Sequence, residues 1–396
     1  MKQKAALLLA QINNKVIDLL ISPKTTLPWL IASLPGGAWL LPLLAPIREA
    51  GSMLPQWWIQ QSALGCHSRR DFGWRIGIAV QLFGVSGFVF TGLLLTEELM
   101  PWGILLSLTV LSLGRAFTSV FSKDIQADVI EKQRRGRFTG LVSSLSGALS
   151  IVFALLLIGD FFGENRRLIN MGFVVVLVSV IVALLFSFSV QTSTEAKDKE
   201  ATPSIFAQFS NNVLLRHMVL SRCFLLHAML AIPFITVVMA QGAQLAIGWL
   251  VLASGLSALT ASYLWGWMSD KRNILTLFVA SCLCLVALLS IIWAVEALPH
   301  WLNFVLFYLL LVGYDGIRVG RKTLLLNVTN ENNRLGFVGA GNTTVGIFLL
   351  LSGVLYSFLY SIKSQWMLWF LLIILATGIL HLVKLNSLVK AQDSKK

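Results

Sequence analysis

The chain has 396 residues, 56% hydrophobic and only 12% charged, with a net charge of +13 and a mean hydropathy of +0.78. A soluble domain of this length carries about twice that share of charge, so a soluble enzyme or a disordered basic tail is excluded. The apolar runs are continuous over the ~20 residues that cross a bilayer as a helix, which excludes the shorter alternating strands of a membrane β-barrel.

In chain order, residues 1–26 read as an N-terminal cytoplasmic or interfacial segment. Met1–Ile21 is roughly amphipathic and lacks the short apolar core and small-residue cleavage site of a signal peptide. Residues 27–190 read as an N-terminal six-helix bundle, with spans near Leu27–Pro46, Ile47–Gly65, Ile76–Leu95, Trp102–Phe121, Phe138–Ile158 and Leu168–Phe188. Residues 191–215 begin with a mixed-charge, aperiodic stretch and read as a cytoplasmic linker. Residues 216–386 read as a C-terminal six-helix bundle, with spans near Met218–Ala240, Leu245–Met268, Ile274–Val295, Trp301–Val319, Phe337–Leu359 and Trp366–Val383. Residues 387–396 form a cytoplasmic tail. The expected fold is all-α and polytopic, with twelve transmembrane helices in two pseudo-symmetric bundles.

An internal repeat supports the two bundles. Residues 71–147 resemble residues 270–346 at a constant offset of 199, which pairs Asp71 with Asp270, Trp102 with Trp301, Gly114 with Gly313 and Gly147 with Gly346. The matches fall on loop charges, glycines and span starts. Parallel duplication of this kind is a build used by secondary transporters. Most of the 31 Lys and Arg fall in the termini and alternate loops, which places both termini in the cytoplasm. Anionic inner-leaflet lipid accounts for the basic balance, so no nucleic-acid partner is implied. Cys66, Cys223, Cys282 and Cys284 have no metal or redox spacing and read as core residues. No metal, cofactor or nucleophile–base set is expected, and the chain does not read as an enzyme.

Three local motifs carry a family resemblance. Trp265–Asn273 (WGWMSDKRN) has a glycine followed by Asp270, Lys271 and Arg272; Gly65–Arg75 (GCHSRRDFGWR) is its scrambled counterpart; and Glu131–Leu141 (EKQRRGRFTGL) carries Arg135 and Arg137. With the six-plus-six plan, these resemble the major facilitator superfamily. The resemblance implies two bundles rocking about a central site lined by helices 1, 4, 7 and 10, with the Asp270–Arg272 loop, Arg135 and Arg137 acting in gating on the cytoplasmic side. Helix 5 lacks the Gly-Pro run common in the family's antiporters, which disfavours drug–proton exchange.

Ionisable groups within spans are functional candidates, since each costs about 2.5–3.5 kcal/mol at mid-helix. Arg115 lies below Trp102, and Asp315 below Trp301, by about 20 Å at 1.5 Å per residue. Their matched depth and opposite charge make them candidates for a substrate contact or an ion-coupling pair across the bundles; the local alternatives are that Asp315 pairs with Arg318 one turn away and that Arg115 caps neighbouring carbonyls. His227 is a candidate proton relay or a buried neutral histidine. Arg48 and Glu49 are candidates for an outer gate or an interface mark. Pro35 and Pro233 are candidate helix breaks in the first and seventh spans. Gly140, Ser143, Gly147 and Gly339, Asn342, Gly346 are expected to permit close helix packing.

The sequence therefore reads as a secondary active transporter that moves a small solute by alternating access, coupled to an ion gradient. The alternative is a non-transporting relative that acts as a membrane assembly factor or sensor. Expected partners are membrane lipids, a small-molecule substrate and protons as the coupling ion. The chain is expected to be a monomer in the cytoplasmic membrane.

Overall fold

The computed structural model describes residues 2–59, 70–130, 135–159, 165–190, 209, 212–241, 245–329 and 331–393. Among these residues the regular structure is helical, and nine helices are long and apolar enough to cross a membrane. The first half holds α1 (Lys2–Leu20), α2 (Thr26–Ala32), α3 (Leu41–Met53), α4 (Arg70–Leu94), α5 (Met100–Val129), α6 (Arg135–Ile158) and α7 (Asn165–Ser187). The second half holds α8 (Val213–Leu225), α9 (His227–Gln241), α10 (Ile247–Lys271), α11 (Asn273–Ala294), α12 (His300–Val328), α13 (Glu331–Ile362) and α14 (Ser364–Asp393).

The packing repeats between halves. Helix α4 lies along α5 as α11 lies along α12; α3 packs on α5 as α10 packs on α12; and α4 meets α7 as α11 meets α14. The repeated glycines explain the closest of these approaches. A Cβ on Gly114 would lie 2.7 Å from the Gln81 backbone nitrogen, and one on Gly313 would lie 2.9 Å from the Ala280 carbonyl oxygen. Two seams join the halves, α3 against α13 and α6 against α10. Gly346 faces Leu54 in one and Gly147 faces Leu259 in the other, so repeat-equivalent glycines open both seams. This bears out the all-α, pseudo-symmetric plan.

The first half begins differently from expectation. Residues 1–26 were expected outside the bundle, yet α1 packs against α6 and α7, with Leu7, Ala10, Ile17 and Ile21 buried. These apolar positions recur every three to four residues, as on one face of a helix. An adjoining face carries Gln11, Lys15 and Asp18, spaced so that they line up along the rod. The helix stops at Ser22–Pro23, because a residue before proline disfavours the helical region. Thr26 closes the break: its hydroxyl accepts the Ser22 N–H at 2.9 Å and donates to the Leu20 carbonyl at 2.9 Å. The chain then resumes as α2 and reverses in a turn at Pro35–Gly37, where Gly36 has φ +67°. That left-handed conformation suits glycine.

Pro35 is thus an exposed turn residue, not a break within a span, and the expected first span Leu27–Pro46 runs across the reversal. Pro233 does lie within a helix, α9, and is buried there. The interruption between α8 and α9 falls earlier, at Leu226. Cys66, most of the expected 191–215 linker and residues 65–69 of the Gly65–Arg75 motif lie outside the described residues.

Candidate functional site

The middle of the molecule holds a charged cluster built by both halves. Arg115 stands halfway along the 30-residue α5, and Arg48 halfway along the 13-residue α3. Both pair with the carboxylate of Asp18 on α1, one on each oxygen. Arg115 also donates to the Asn14 carbonyl at 2.9 Å. Asp18 therefore ties three helices of the first half together at one point. The Arg48 side chain is 7% exposed, and its Nη1 is buried without a hydrogen-bond partner.

In the second half, Asp315 pairs with Arg318 at 2.9 Å, one turn along α12, and accepts from Ser257 of α10 at 3.0 Å. Gly316 lets this stretch of α12 sit on Trp265, whose ring a Cβ would meet at 2.6 Å. The Trp265 indole N–H donates to the Val312 carbonyl at 2.8 Å. The WGWMSDKRN motif thus contributes its first tryptophan to the support of Asp315, a role that its sequence alone did not signal.

Two lysines connect the halves. Lys24, in the break between α1 and α2, places its ammonium 4.1 Å from the centre of the Tyr314 ring, a favourable cation–π geometry. Its backbone carbonyl accepts from Thr236 of α9 at 2.6 Å. Its charged neighbours are Asp315, Arg318, Glu49 and Asp18. Lys15 is exposed, although the other face of its helix is buried. Its charged neighbours are Arg318, Asp18, Arg115 and Asp315. The Arg318 side chain is 49% exposed.

A polar chain crosses between the halves beside this cluster. Ser119 of α5 and Gln56 lie 3.1 Å apart, with the Gln56 amide donating. Asn342 of α13 donates to the Gln56 carbonyl at 2.8 Å and accepts from Arg222 of α8 at 2.6 Å. Arg222 also contacts Met53 at 3.2 Å. Arg222, Tyr314, Arg318 and Arg321 line one small cavity.

The expected pairing of Arg115 with Asp315 is not what forms. Each finds a partner in its own half, because Asp18 and Arg318 are closer. Arg48 joins the central cluster through Asp18. Glu49 lies among Arg222, Arg321 and Tyr314. Arg48 is buried and Glu49 half-buried. His227 is buried and opens α9; its Nδ1 lies 3.0 and 2.9 Å from the Cys223 and Phe224 carbonyls, and its Nε2 meets the Tyr356 hydroxyl. It bridges the α8–α9 break to α13. Asp270, Lys271 and Arg272 are exposed at the junction of α10 and α11, with Lys271 over the Trp267 ring at 4.2 Å. Arg135 and Arg137 stand on the first turn of α6, and their side chains lie outside the description. Asn342, expected only as a small packing residue, is the bridge of the polar chain.

The Major Facilitator Superfamily model matches residues 67–320, and the chain belongs to that family. No curated relative matches the sequence. The fold is similar to that of the nucleoside transporter NupG, with TM-score 0.71, 10% identity, and 97% of this chain and 99% of the other covered. It is also similar to the inward-open xylose transporter XylE from E. coli, with TM-score 0.67, 14% identity, and 96% and 94% covered. A bacterial homologue of the iron transporter ferroportin, outward-facing, gives TM-score 0.55 and 16% identity, with 98% of each chain covered. At these identities the likeness defines the fold: a multi-pass membrane protein of transporter architecture.

Proposed function

We propose that the protein is a secondary active transporter that carries a small solute by alternating access, coupled to an ion gradient. It works as a monomer in the cytoplasmic membrane, with twelve spans and both termini inside. One observation carries this reading: charges of two pseudo-symmetric halves meet within the bundle, where Lys24 of the first half stands over Tyr314 of the second, next to the Asp315–Arg318 pair. Charge in the bilayer interior is costly and marks solute or ion pathways. Solute and coupling ion bind at this charged cluster, in which Asp18 and Asp315 hold their arginine partners. His227, tied to the α8–α9 break and Tyr356, holds the helix kink. Pro233 allows α9 to bend. Asp270, Lys271 and Arg272, with Arg135 and Arg137, act in gating at the cytoplasmic end.

The test is access to the centre from each side. In a background lacking Cys66, Cys223, Cys282 and Cys284, Lys15→Cys is exposed to a membrane-impermeant maleimide in right-side-out and in inverted vesicles. Alternating access predicts labelling from both faces. Labelling from one face alone defeats the transport reading and favours a static sensor or assembly factor.

A further inference from the structure

The central charges do not balance. The first half contributes Lys15, Lys24, Arg48 and Arg115, and the second contributes Arg222, Arg318 and Arg321. Against these seven cations stand three carboxylates, Asp18, Glu49 and Asp315, each within electrostatic range of several of them. Asp18 is shared between two arginines, and Asp315 is engaged by Arg318. Glu49 is left to face Lys24, Arg222 and Arg321. An excess of four positive charges thus sits among packed membrane helices.

Two further observations point to a missing partner. Arg48 Nη1 and Arg222 Nε are buried with no hydrogen-bond partner. Buried guanidinium N–H groups without acceptors are costly, and native structures seldom leave them so unless a ligand completes them. Lys15 and Arg318 are also exposed, and Arg222, Arg318 and Arg321 line one cavity. The site therefore offers reachable cations beside unfilled donors.

We infer that the transported solute is an oxyanion, carrying phosphate or more than one carboxylate, held between Lys15 and Lys24 on one side and Arg222, Arg318 and Arg321 on the other. Guanidinium groups match such oxygens with paired, charge-assisted hydrogen bonds. A neutral sugar or nucleoside leaves the excess charge uncompensated, and a cation adds to it. The carboxylates keep the arginines in place, and the solute supplies the remaining negative charge. This inference rests on the transport reading and deepens it.

The experiment is thermal melting of the purified full chain in detergent at fixed ionic strength. The probes are inorganic phosphate, citrate and glucose 6-phosphate, with glucose and spermidine as neutral and cationic comparisons. Wild type, Lys15→Gln and Arg321→Gln are compared, with Lys390→Gln as the exposed control. The inference predicts two effects of opposite sign. Without ligand, both site variants melt above wild type, because a repelling charge has been removed. With an anion, the saturable stabilisation of wild type weakens by about tenfold or more in apparent Kd in both variants, and not in the control. A residue that merely supports the fold lowers the ligand-free melting point instead. The inference is overturned if both variants melt below wild type without ligand. It is overturned equally if none of the anions stabilises wild type, or if their effect is unchanged in the variants. Stabilisation by glucose or spermidine alone, with Lys15→Cys still labelled from both faces, overturns the substrate class and leaves transport standing. One-sided labelling defeats transport itself.

Discussion

Asp18→Asn is the most demanding perturbation of the site. It removes the carboxylate that both Arg48 and Arg115 share, without changing the size of the side chain. The two guanidiniums, 7% and 23% exposed, are then left side by side with no counter-charge between them. Removing one partner of a buried ion pair costs about 3–5 kcal/mol. Asp18 itself is 34% exposed, and screening by water at that edge brings the expected loss toward about 3 kcal/mol. Arg115 keeps its bond to the Asn14 carbonyl, so the helix need not come apart. The double variant Asp18→Asn with Arg115→Gln relieves the repulsion, and its loss falls short of the sum of the singles by at least about 1 kcal/mol, within the range for contacting residues. The matching cycle of Arg115→Gln with Asp315→Asn is additive within about 0.5 kcal/mol, because each residue has its own partner. Detergent melting, followed by tryptophan fluorescence, reads both cycles. A wild-type melting point for Asp18→Asn, or strong coupling between Arg115 and Asp315, refutes the assignment of Asp18 as the shared anchor.

Other changes separate packing from polar contacts. Gly114→Leu and Gly313→Leu should each destabilise by at least about 1–3 kcal/mol, the usual cost of overpacking, since their Cβ positions meet helix backbone. Gly266→Ala, with nothing within 4 Å, should stay within about 0.5 kcal/mol of wild type; equal expression and melting of all three would contradict the packing account. Tyr356→Phe should cost about 1–3 kcal/mol by leaving buried His227 Nε2 unpaired, visible as a lower melting temperature, and no loss would mean that water takes the vacated place. Asn342→Ala disconnects Gln56 from Arg222, so a cysteine in place of Ser119 should react faster with maleimide. An unchanged rate argues against a latch between the halves.

The sequence located the architecture well and the site only in part. Duplication was visible because Gly114 and Gly313, or Gly147 and Gly346, do the same work in each half, and close backbone approach accepts no larger residue. Arg115 and Asp315 stood out because charge is rare within apolar spans. Asp18, Lys15 and Lys24 were missed for the converse reason. They lie in a segment whose mean hydropathy is lowered by the polar face that builds the site, so the first helix read as an interfacial one. The spacing of Leu7, Ala10, Ile17 and Ile21 against Gln11, Lys15 and Asp18 was the available signal. Functional sites are where local rules of pattern are expected to fail. The Arg115–Asp315 pairing failed differently: equal depth constrains height in the membrane, and the partner is chosen by lateral distance, which linear sequence does not carry.

The two seams have a mechanical consequence. Helix α3 of the first half meets α13 of the second, and α6 meets α10, with a glycine notch in each. In each seam one half supplies its notch and the other a leucine, Leu54 or Leu259, and the roles are exchanged between the seams. A rigid tilt of one half against the other must therefore slide both leucines along their notches at once. Neither seam can serve alone as a fixed hinge, and the pivot lies between them, in the region that holds the charged cluster. Under the proposed alternating access, a solute held at that pivot would stay gripped while the two ends of the bundle open in turn.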